Sequence, residues 1–188
     1  MMPETARNAE GELAGAESLP EGEQFLIRPA VERDLPALEW GGDYRHFRRL
    51  FRQAYEDMCL GKRHLLIMEN AATGEMVGQV FIQWNSSNPR FADGSLRGYL
   101  YALRVKPAFR GRGLGTRILQ AAEAALLRRG MTTASIGVEK TNLRARALYE
   151  RQGYHIIAED PGCWSYLDHL GIIQEVVEPA WLMEKKIR

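Results

Sequence analysis

The order of strand-like and helix-like segments predicts an α/β fold with a single mixed central β-sheet flanked by helices. Two late helices each connect one apolar strand to the next, and such crossovers join parallel strands. An earlier pair of apolar segments flanks the short turn at residues 70–74, which is typical of an antiparallel hairpin. Parallel and antiparallel strands in one domain indicate a mixed α/β sheet.

The first half of the chain supplies four predicted strands and two predicted helices. The strands are short apolar runs that end at turn residues: 25–29, 64–69, 76–84 and 96–105. Asp34 is predicted to cap a short helix that has Pro36 in its first turn. A longer helix is predicted over 43–60, because apolar residues recur at helical spacing: Phe47, Leu50, Phe51, Ala54 and Met58. Gly61 follows where a C-terminal cap belongs.

The second half alternates helices and strands. Helices are predicted over 114–129 and 142–152, with Asn142 as the N-cap of the latter and Gly130 and Gly153 as stops. The predicted strands share short apolar runs and cover 132–138, 154–158, 173–177 and 181–187. Residues 85–95 are polar and contain Pro89 and Gly94, which predicts an exposed loop.

Composition divides the 188 residues into a tail and one domain. Residues 1–23 carry one arginine against six glutamates, a net charge of −5, and have few bulky apolar side chains. Such a segment cannot bury enough surface to fold, so a disordered acidic tail is expected. Residues 24–188 then carry about +6, which suits an anionic cofactor but is too weak to indicate nucleic-acid binding.

Several protein classes are disfavoured by what the sequence contains. Cys59 and Cys163 have no metal-ligand spacing and do not indicate a disulfide scaffold, and the four histidines share no ligand spacing either. No apolar run approaches 18 residues, and the N-terminus lacks an apolar signal segment. A cytosolic protein without a metal and without membrane or nucleic-acid contacts is therefore expected.

The segment from Arg110 to Gly115 predicts an anion-binding loop. It reads Arg-Gly-Arg-Gly-Leu-Gly and lies between a predicted strand and a predicted helix. Glycine permits positive φ angles and close approach of a ligand to the backbone. The first N–H groups of the helix are unpaired and lie at the positive end of its dipole, so a phosphate or pyrophosphate suits this position.

Three phosphate-binding motifs compete for this loop. A P-loop requires lysine before Thr116, and the chain has none there. A dinucleotide fingerprint requires the spacing G-x-G-x-x-G and an acidic residue about 20 positions later, where this chain has Ser135. The pattern R-x-x-G-x-G is matched by Arg110, Gly113 and Gly115. A glycine-rich helix start without a ligand is the alternative to all three.

A second motif follows after one helix and one strand. Residues 142–154 match N-x-x-A-x-x-L-Y-x-x-x-G-[FY], with Asn142 first and Tyr154 last. Together with the glycine loop, this pattern resembles the GCN5-related N-acetyltransferase (GNAT) superfamily over roughly residues 24–160. Residues 100–105 resemble the fourth strand of that family, and Arg28 to Asp34 resemble its common opening.

The resemblance implies acetyl-CoA as the co-substrate and a set of residues that hold it. The pyrophosphate would lie on the loop amides, and the pantetheine arm would pair with the strand before the loop. The implied cofactor-binding residues are Leu103, Val105, Arg110, Gly111, Arg112, Gly113, Leu114, Gly115, Thr116 and Asn142.

The resemblance also implies direct transfer of an acetyl group to a primary amine in a ternary complex. The amine must lose a proton and the thiolate must gain one. Tyr149 matches the family's general acid. The base stays open, because Tyr99 and Tyr101 stand where many relatives have a glutamate; these two residues, Asp93 and Glu139 are candidates.

The acceptor, a small-molecule or peptide amine, is expected to bind between the first two helices, the 85–95 loop and the C-terminal segment. Trp84, Trp164 and Tyr166 are candidate wall residues. A non-catalytic acyl-CoA-binding module is the alternative function. The arginines between Arg45 and Arg52 are either a solvated helix face or a contact for an acidic acceptor or RNA. A homodimer is expected because relatives often dimerise.

Overall fold

The computed structural model describes residues 24–188 and contains a seven-stranded mixed sheet with helices on both faces. A separate two-stranded ribbon lies outside this sheet. The predicted acidic tail, residues 1–23, lies outside the described residues. The mixed α/β sheet flanked by helices is confirmed, and the ribbon is an addition that the sequence did not predict.

Nine strands and three α-helices make up the described residues. The strands are β1 (Phe25–Pro29), β2 (Arg63–Asn70), β3 (Met76–Gln83), β4 (Arg97–Val105), β5 (Thr133–Glu139), β6 (His155–Asp160), β7 (Cys163–Leu167), β8 (Ile173–Val177) and β9 (Ala180–Lys186). The helices are α1 (Arg48–Cys59), α2 (Leu114–Arg128) and α3 (Leu143–Arg151). Three 3₁₀-helices cover Glu32–Gly42, Arg45–Phe47 and Pro107–Phe109.

The strand order of the main sheet is β1-β2-β3-β4-β5-β9-β6. Strands β4 and β5 are parallel, and every other neighbouring pair is antiparallel. Helix α2 therefore makes the predicted parallel crossover. Helix α3 connects β5 to β6, but β9 lies between those two strands, so the second crossover joins parallel strands that are not neighbours.

The apolar core lies on both faces of the sheet. Helix α2 buries the predicted face, including Ile118 and Leu119, against one side. On the other side, α1 buries Phe51 and Ala54 of the predicted apolar stripe, whereas Leu50, also predicted there, is 37% exposed and lies outside the buried face. Two opposed helical layers hold the sheet between them and leave its strand ends available for a site.

The N-terminal helical region differs from its prediction. Asp34 is not the N-cap; the 3₁₀-helix starts after Val31, and Asp34, its third residue, caps it from within by accepting the Val31 N–H at 2.8 Å. Arg28 donates to the same carboxylate at 2.7 and 3.0 Å and to Glu69 at 2.7 Å. The family-like opening thus fastens β1 to the 3₁₀-helix and to β2.

The ribbon of β7 and β8 is the element that the sequence missed. Strand β8 was predicted, but its partner β7 was not. Four of the five β7 residues are exposed, so the strand lacks the alternation of buried apolar and exposed polar residues by which a strand is predicted from sequence. Within residues 24–188, no helix combines the length and the apolarity needed to cross a bilayer.

Candidate cofactor and acceptor site

Strands β4 and β5 separate partway along their length. They pair from Arg97 to Leu100 on the β4 side, and the pairing stops there. Ala102 has a φ of 50°, and the register between β3 and β4 shifts at the same place, which marks a β-bulge. Beyond the bulge, Val105 still pairs with β3 but no longer with β5, so the strand offers free backbone groups to an extended ligand.

The glycine-rich loop lies at the end of this open segment. Gly111 and Gly113 have φ angles of 84° and 72°, so both need the left-handed conformation that glycine adopts without strain. Arg110 Nε donates to the Val105 carbonyl at 2.8 Å, which fixes the loop to the end of β4. The loop and the open strand therefore form one continuous surface.

The start of α2 offers free backbone donors. Among the described residues, the amides of Gly113, Leu114 and Gly115 donate to no acceptor. A Cβ built on Gly111 or Gly113 would meet no protein atom within 4 Å, so the space above both is open. An open cradle of unpaired amides at a helix N-terminus fits a pyrophosphate.

The remaining predicted loop residues surround this cradle. The Leu114 side chain is buried in the core, so only its amide faces the cradle. A Cβ on Gly115 would lie 3.3 Å from Leu148, which explains the close approach of α2 to α3. The Arg112 guanidinium lies 5.3 Å from the Phe109 ring centre. Thr116 is in the first turn of α2.

Two residues at the start of α3 and on its inner face complete the predicted set. Asn142 is the N-cap as predicted, since its Oδ1 accepts the Ala145 N–H at 3.1 Å. Tyr149 is only 4% exposed, and burial raises its pKa well above the usual value for a phenol. Within the described residues, its hydroxyl makes no hydrogen bond. A buried, protonated and uncommitted phenol is suited to donate a proton.

A cleft of about 900 Å³ opens beside the separated strands. Four of the predicted acceptor-site or base residues line it: Tyr99, Tyr101, Glu139 and Trp164. Tyr166 lies behind the wall, with its ring stacked 5.2 Å from Trp164. Six further lining residues were not predicted as site residues: Tyr44, Phe47, Arg63, Arg104, Asp160 and Glu178.

One predicted acceptor-site residue, Trp84, and one candidate base, Asp93, are not among the residues that line the cleft. Trp84 is buried between His64 and Arg129 and is not part of the cleft wall, so that prediction was wrong. Asp93 organises the 85–95 loop. Partial burial alone would raise its pKa, but bonds from three backbone amides hold that pKa below its usual range, so it is a weak base.

The cleft contains both aromatic surface and charge. Phe47 lies 6.1 Å from Trp164 and 5.0 Å from Tyr166, so 3₁₀-helix and ribbon meet through their rings. The carboxylates Glu139 and Asp160 are in the wall. Burial raises the pKa of Tyr99 strongly, and the nearby Asp160 charge adds to this effect. Tyr99 is therefore a proton donor at neutral pH rather than a base.

The fold is that of N-acetyltransferases. Over 87% of this chain and 94% of the other, it superposes on the Escherichia coli ribosomal-protein-S18-alanine N-acetyltransferase with a TM-score of 0.63 and 20% identity. It also matches the yncA protein of Salmonella typhimurium, solved with its cofactor acetyl-CoA, with a TM-score of 0.63 and 19% identity over 88% and 95% of the two chains.

The sequence identifies the family directly. Residues 32–154 match the family model described as Acetyltransferase (GNAT) family. The chain belongs to this family.

Among curated proteins, it is 36% identical to the mycothiol acetyltransferase of Propionibacterium freudenreichii over 37% of this chain and 22% of that one. It is 27% identical to the Saccharomonospora viridis enzyme of the same name over 66% and 40%. The chain thus spans less than half the length of these relatives.

Proposed function

We propose that the protein transfers an acetyl group from acetyl-CoA to a primary amine by direct transfer in a ternary complex. The observation that carries this proposal is the opening between β4 and β5: the cradle of free amides follows the end of β4, and a cleft of about 900 Å³ is lined by Ala102 and Arg104 of the same strand. In the proposal, the co-substrate extends along β4 from the phosphate site to this cavity, which a second reactant can fill.

Backbone groups hold the co-substrate in this proposal. The amides from Gly111 to Thr116 receive the pyrophosphate beside Arg110 and Arg112, and each charge-assisted bond contributes ~1.5–3 kcal/mol. Leu103 and Val105 pair with the pantetheine arm as a neighbouring strand would. Asn142 holds the start of α3 beside this arm. Acetyl-CoA supplies the activated acyl group.

Tyr149 acts as the general acid that protonates the departing thiolate. Its raised pKa keeps the phenol protonated at neutral pH, and its lack of a hydrogen bond within the described residues leaves the proton available. An amine with a pKa of ~10.4 is less than ~0.1% neutral at pH 7, so a base must act first. Glu139 and Asp160 are the carboxylates of the cleft that attract the ammonium group and can accept its proton.

A non-catalytic acyl-CoA-binding module is the second candidate. One observation favours it: β4 begins with Tyr99 and Tyr101 where many family members have a glutamate. Both phenols have raised pKa values because they are buried, so neither replaces that carboxylate as a base.

A binding assay followed by a turnover assay separates the two functions. Thermal unfolding with CoA should show stabilisation in either case. Thiol release from acetyl-CoA should then be measured with polyamines, amino acids, aminoglycosides and peptides. Release that depends on an amine supports the transferase, whereas stabilisation without turnover on any amine supports the binding module. Absence of stabilisation contradicts both.

We also infer a cytosolic enzyme that needs no metal and forms a homodimer. Within residues 24–188, no three histidine, cysteine or acidic side chains are grouped as a metal site would require. Unchanged turnover after chelation is the expected result. Sedimentation at the mass of 21.3 kDa, rather than twice that mass, would contradict the dimer.

A further inference from the structure

Two buried hydrogen-bond donors on neighbouring strands have no acceptor among residues 24–188: one belongs to Arg104, which lines the cleft, and the other to Gln79, which is fully buried beside it. Within the described residues, Gln79 Nε2 and Arg104 Nη1 are shielded from solvent and unbonded. The two residues are directly opposite each other on β3 and β4, just beyond the bulge at Ala102. Buried donors are nearly always paired in folded proteins, so two on one spot indicate a bound group that supplies acceptors.

The orientation of the Gln79 amide is fixed by its surroundings. The residue is fully buried, and Trp40 Nε1 donates to Gln79 Oε1 at 3.1 Å. The amide oxygen is therefore occupied, and the Nε2 group is left as the unpaired donor. Trp40 itself has a φ of 49° and is followed by two glycines with positive φ, so a tight turn holds it there.

Arg104 is a cleft residue near Glu178, which acts on its charge without forming an ion pair with it. Its guanidinium lies 4.1 Å above the Tyr44 ring, and it forms no ion pair within residues 24–188. Arg63, the other arginine of the wall, is bound to Asp57 at 2.9 Å and to the Tyr101 hydroxyl. The ring below Arg104 holds its plane flat but supplies no hydrogen-bond acceptor.

The charges around Arg104 indicate which kind of anion its guanidinium binds. A planar guanidinium presents paired donors that match the two oxygens of a carboxylate. Glu139, Asp160 and Glu178 also line the cleft, so a dianion such as phosphate would meet more repulsion than a monoanion. The same carboxylates attract an ammonium group. A molecule with one amine and one carboxylate satisfies both parts of the wall.

We propose that Arg104, with Gln79 beside it, binds the carboxylate of the acetyl acceptor, and that this acceptor is an amino acid or a related aminocarboxylate. The inference rests on the proposed transferase function for its amine. Phe47 and Trp164 add aromatic surface to the same cleft, which suits an acceptor with an apolar side chain.

Matched acids and amides test the proposal. Thiol release should be measured with phenylalanine against phenylalaninamide and with leucine against leucinamide. The acid of each pair should be preferred about tenfold or more in kcat/KM, as the gain of one charge-assisted bond implies. Arg104→Met should lower the acid-to-amide ratio of kcat/KM about tenfold or more, and Arg104→Lys should restore part of that ratio.

A control and a binding assay separate this proposal from the transferase itself. Arg129→Met removes an equivalent stacked arginine, 4.6 Å from Trp84 and outside the cleft, and should keep the acid preference. Calorimetric titration with N-acetylphenylalanine needs no turnover and should show binding that Arg104→Met weakens about tenfold or more. Equal use of acids and amides, or binding that Arg104→Met leaves unchanged, would overturn the proposal even where acetyl transfer proceeds. Turnover of no amine would count against the transferase alone.

Discussion

The two sides of the opening between β4 and β5 use different chemical groups: backbone amides on the cofactor side and side chains on the acceptor side. On the cofactor side, Gly111 and Gly113 expose backbone amides, and a side chain contributes mainly by fixing the loop, as Arg110 does. On the acceptor side, the wall consists of side chains such as Phe47 and Trp164. The first surface is a property of one short segment, and the second is assembled from distant ones.

This difference explains what each side can recognise. Backbone amides at a helix start bind phosphate whatever residues surround them, so their ligand is constant. The acceptor wall draws on a 3₁₀-helix, α1, six strands of the main sheet and β7 of the ribbon, and a change in any of them alters the fit. Substitutions on the two sides should therefore affect different kinetic constants.

The largest expected effect tests the proposed general acid. Tyr149→Phe should lower kcat by about 10²-fold or more, because general acid catalysis typically contributes ~10²–10⁴-fold. The affinity for CoA and the thermal stability should hardly change, since the hydroxyl has no hydrogen bond within the described residues. Stopped assays of turnover beside a CoA titration measure both quantities.

Tyr154→Phe is the matched control for this change. Its hydroxyl donates to Glu123 at 3.0 Å and its ring lies 6.0 Å from Tyr149. This variant should lose stability and keep its turnover number. Full activity of Tyr149→Phe would refute the role of the phenol.

The next effect isolates the cofactor side. Gly113→Val should weaken CoA binding about 10-fold to 100-fold, because the new side chain occupies the phosphate path and strains a φ of 72°. The KM of the amine, measured at saturating acetyl-CoA, should stay within about threefold. Isothermal titration with CoA gives the affinity directly.

Gly130→Val reproduces the strain without the ligand. Gly130 has a φ of 82°, also with no protein atom within 4 Å of a built Cβ, at the opposite end of α2. Both variants should lose ~1–2 kcal/mol of stability. Equal CoA affinities in the two would show that the loop does not hold the pyrophosphate.

A smaller effect isolates the acceptor side. Trp164→Ala removes a ring that is 41% exposed and stacked on Tyr166, and such pairs contribute ~0.5–1.5 kcal/mol. The KM of the amine should rise about 2-fold to 10-fold while CoA affinity is unchanged. Leu167→Ala, at the exposed end of the same ribbon, should change neither constant. A loss of CoA affinity in Trp164→Ala would contradict the separation of the two sides.

The smallest effect on CoA binding and on turnover is expected for Asp34→Asn, which should change only the free energy of unfolding. Partial burial alone would raise the pKa of Asp34, but bonds from Arg28 and the Val31 amide hold it below 3.8. Its charge therefore stabilises the fold above that pH and loses this contribution as the pH falls further. Asp34→Asn should cost ~1–2 kcal/mol near neutral pH, and the difference should shrink in acid.

Urea unfolding at several pH values measures this difference. Glu75→Gln breaks the more exposed pair with Lys106, at 2.8 Å, and should change stability by less than about 0.5 kcal/mol. A stability deficit in Asp34→Asn that does not change with pH would show that the charge of Asp34 is not what stabilises the contacts between β1 and the first 3₁₀-helix.

Local chemistry explains which parts of the molecule the sequence predicts. The positive φ angles of Gly61, Gly130 and Gly153 end helices as expected, and Asn142 caps α3 with its side chain. Each of these depends on neighbours within a few residues. The conformation of the cofactor loop also depends only on neighbouring residues, so its sequence motif predicts it.

The acceptor side depends on contacts that no local pattern records. Ala102 takes a φ of 50° although alanine carries no signal for a bulge, and without that bulge the strands would not separate. Asp34 resembles an N-cap in sequence, but the 3₁₀-helix already begins at Glu32, and the Asp34 carboxylate accepts from Arg28, six residues away. Arg104 and Gln79 are 25 residues apart, and only strand register brings their donors together.

The position of β9 has a consequence for how the chain folds. This strand, Ala180–Lys186, is flanked by β5 and β6, and Lys185 bonds Glu123 of α2 at 2.8 Å. During synthesis, β1 to β5 can pair as they emerge, but β6 and the preceding α3 have no partner strand until β9 has left the ribosome. Strand β6, which follows the helix that carries Tyr149, therefore joins the sheet only once the last strand of the described structure has been made, after the segment that contains the cofactor loop.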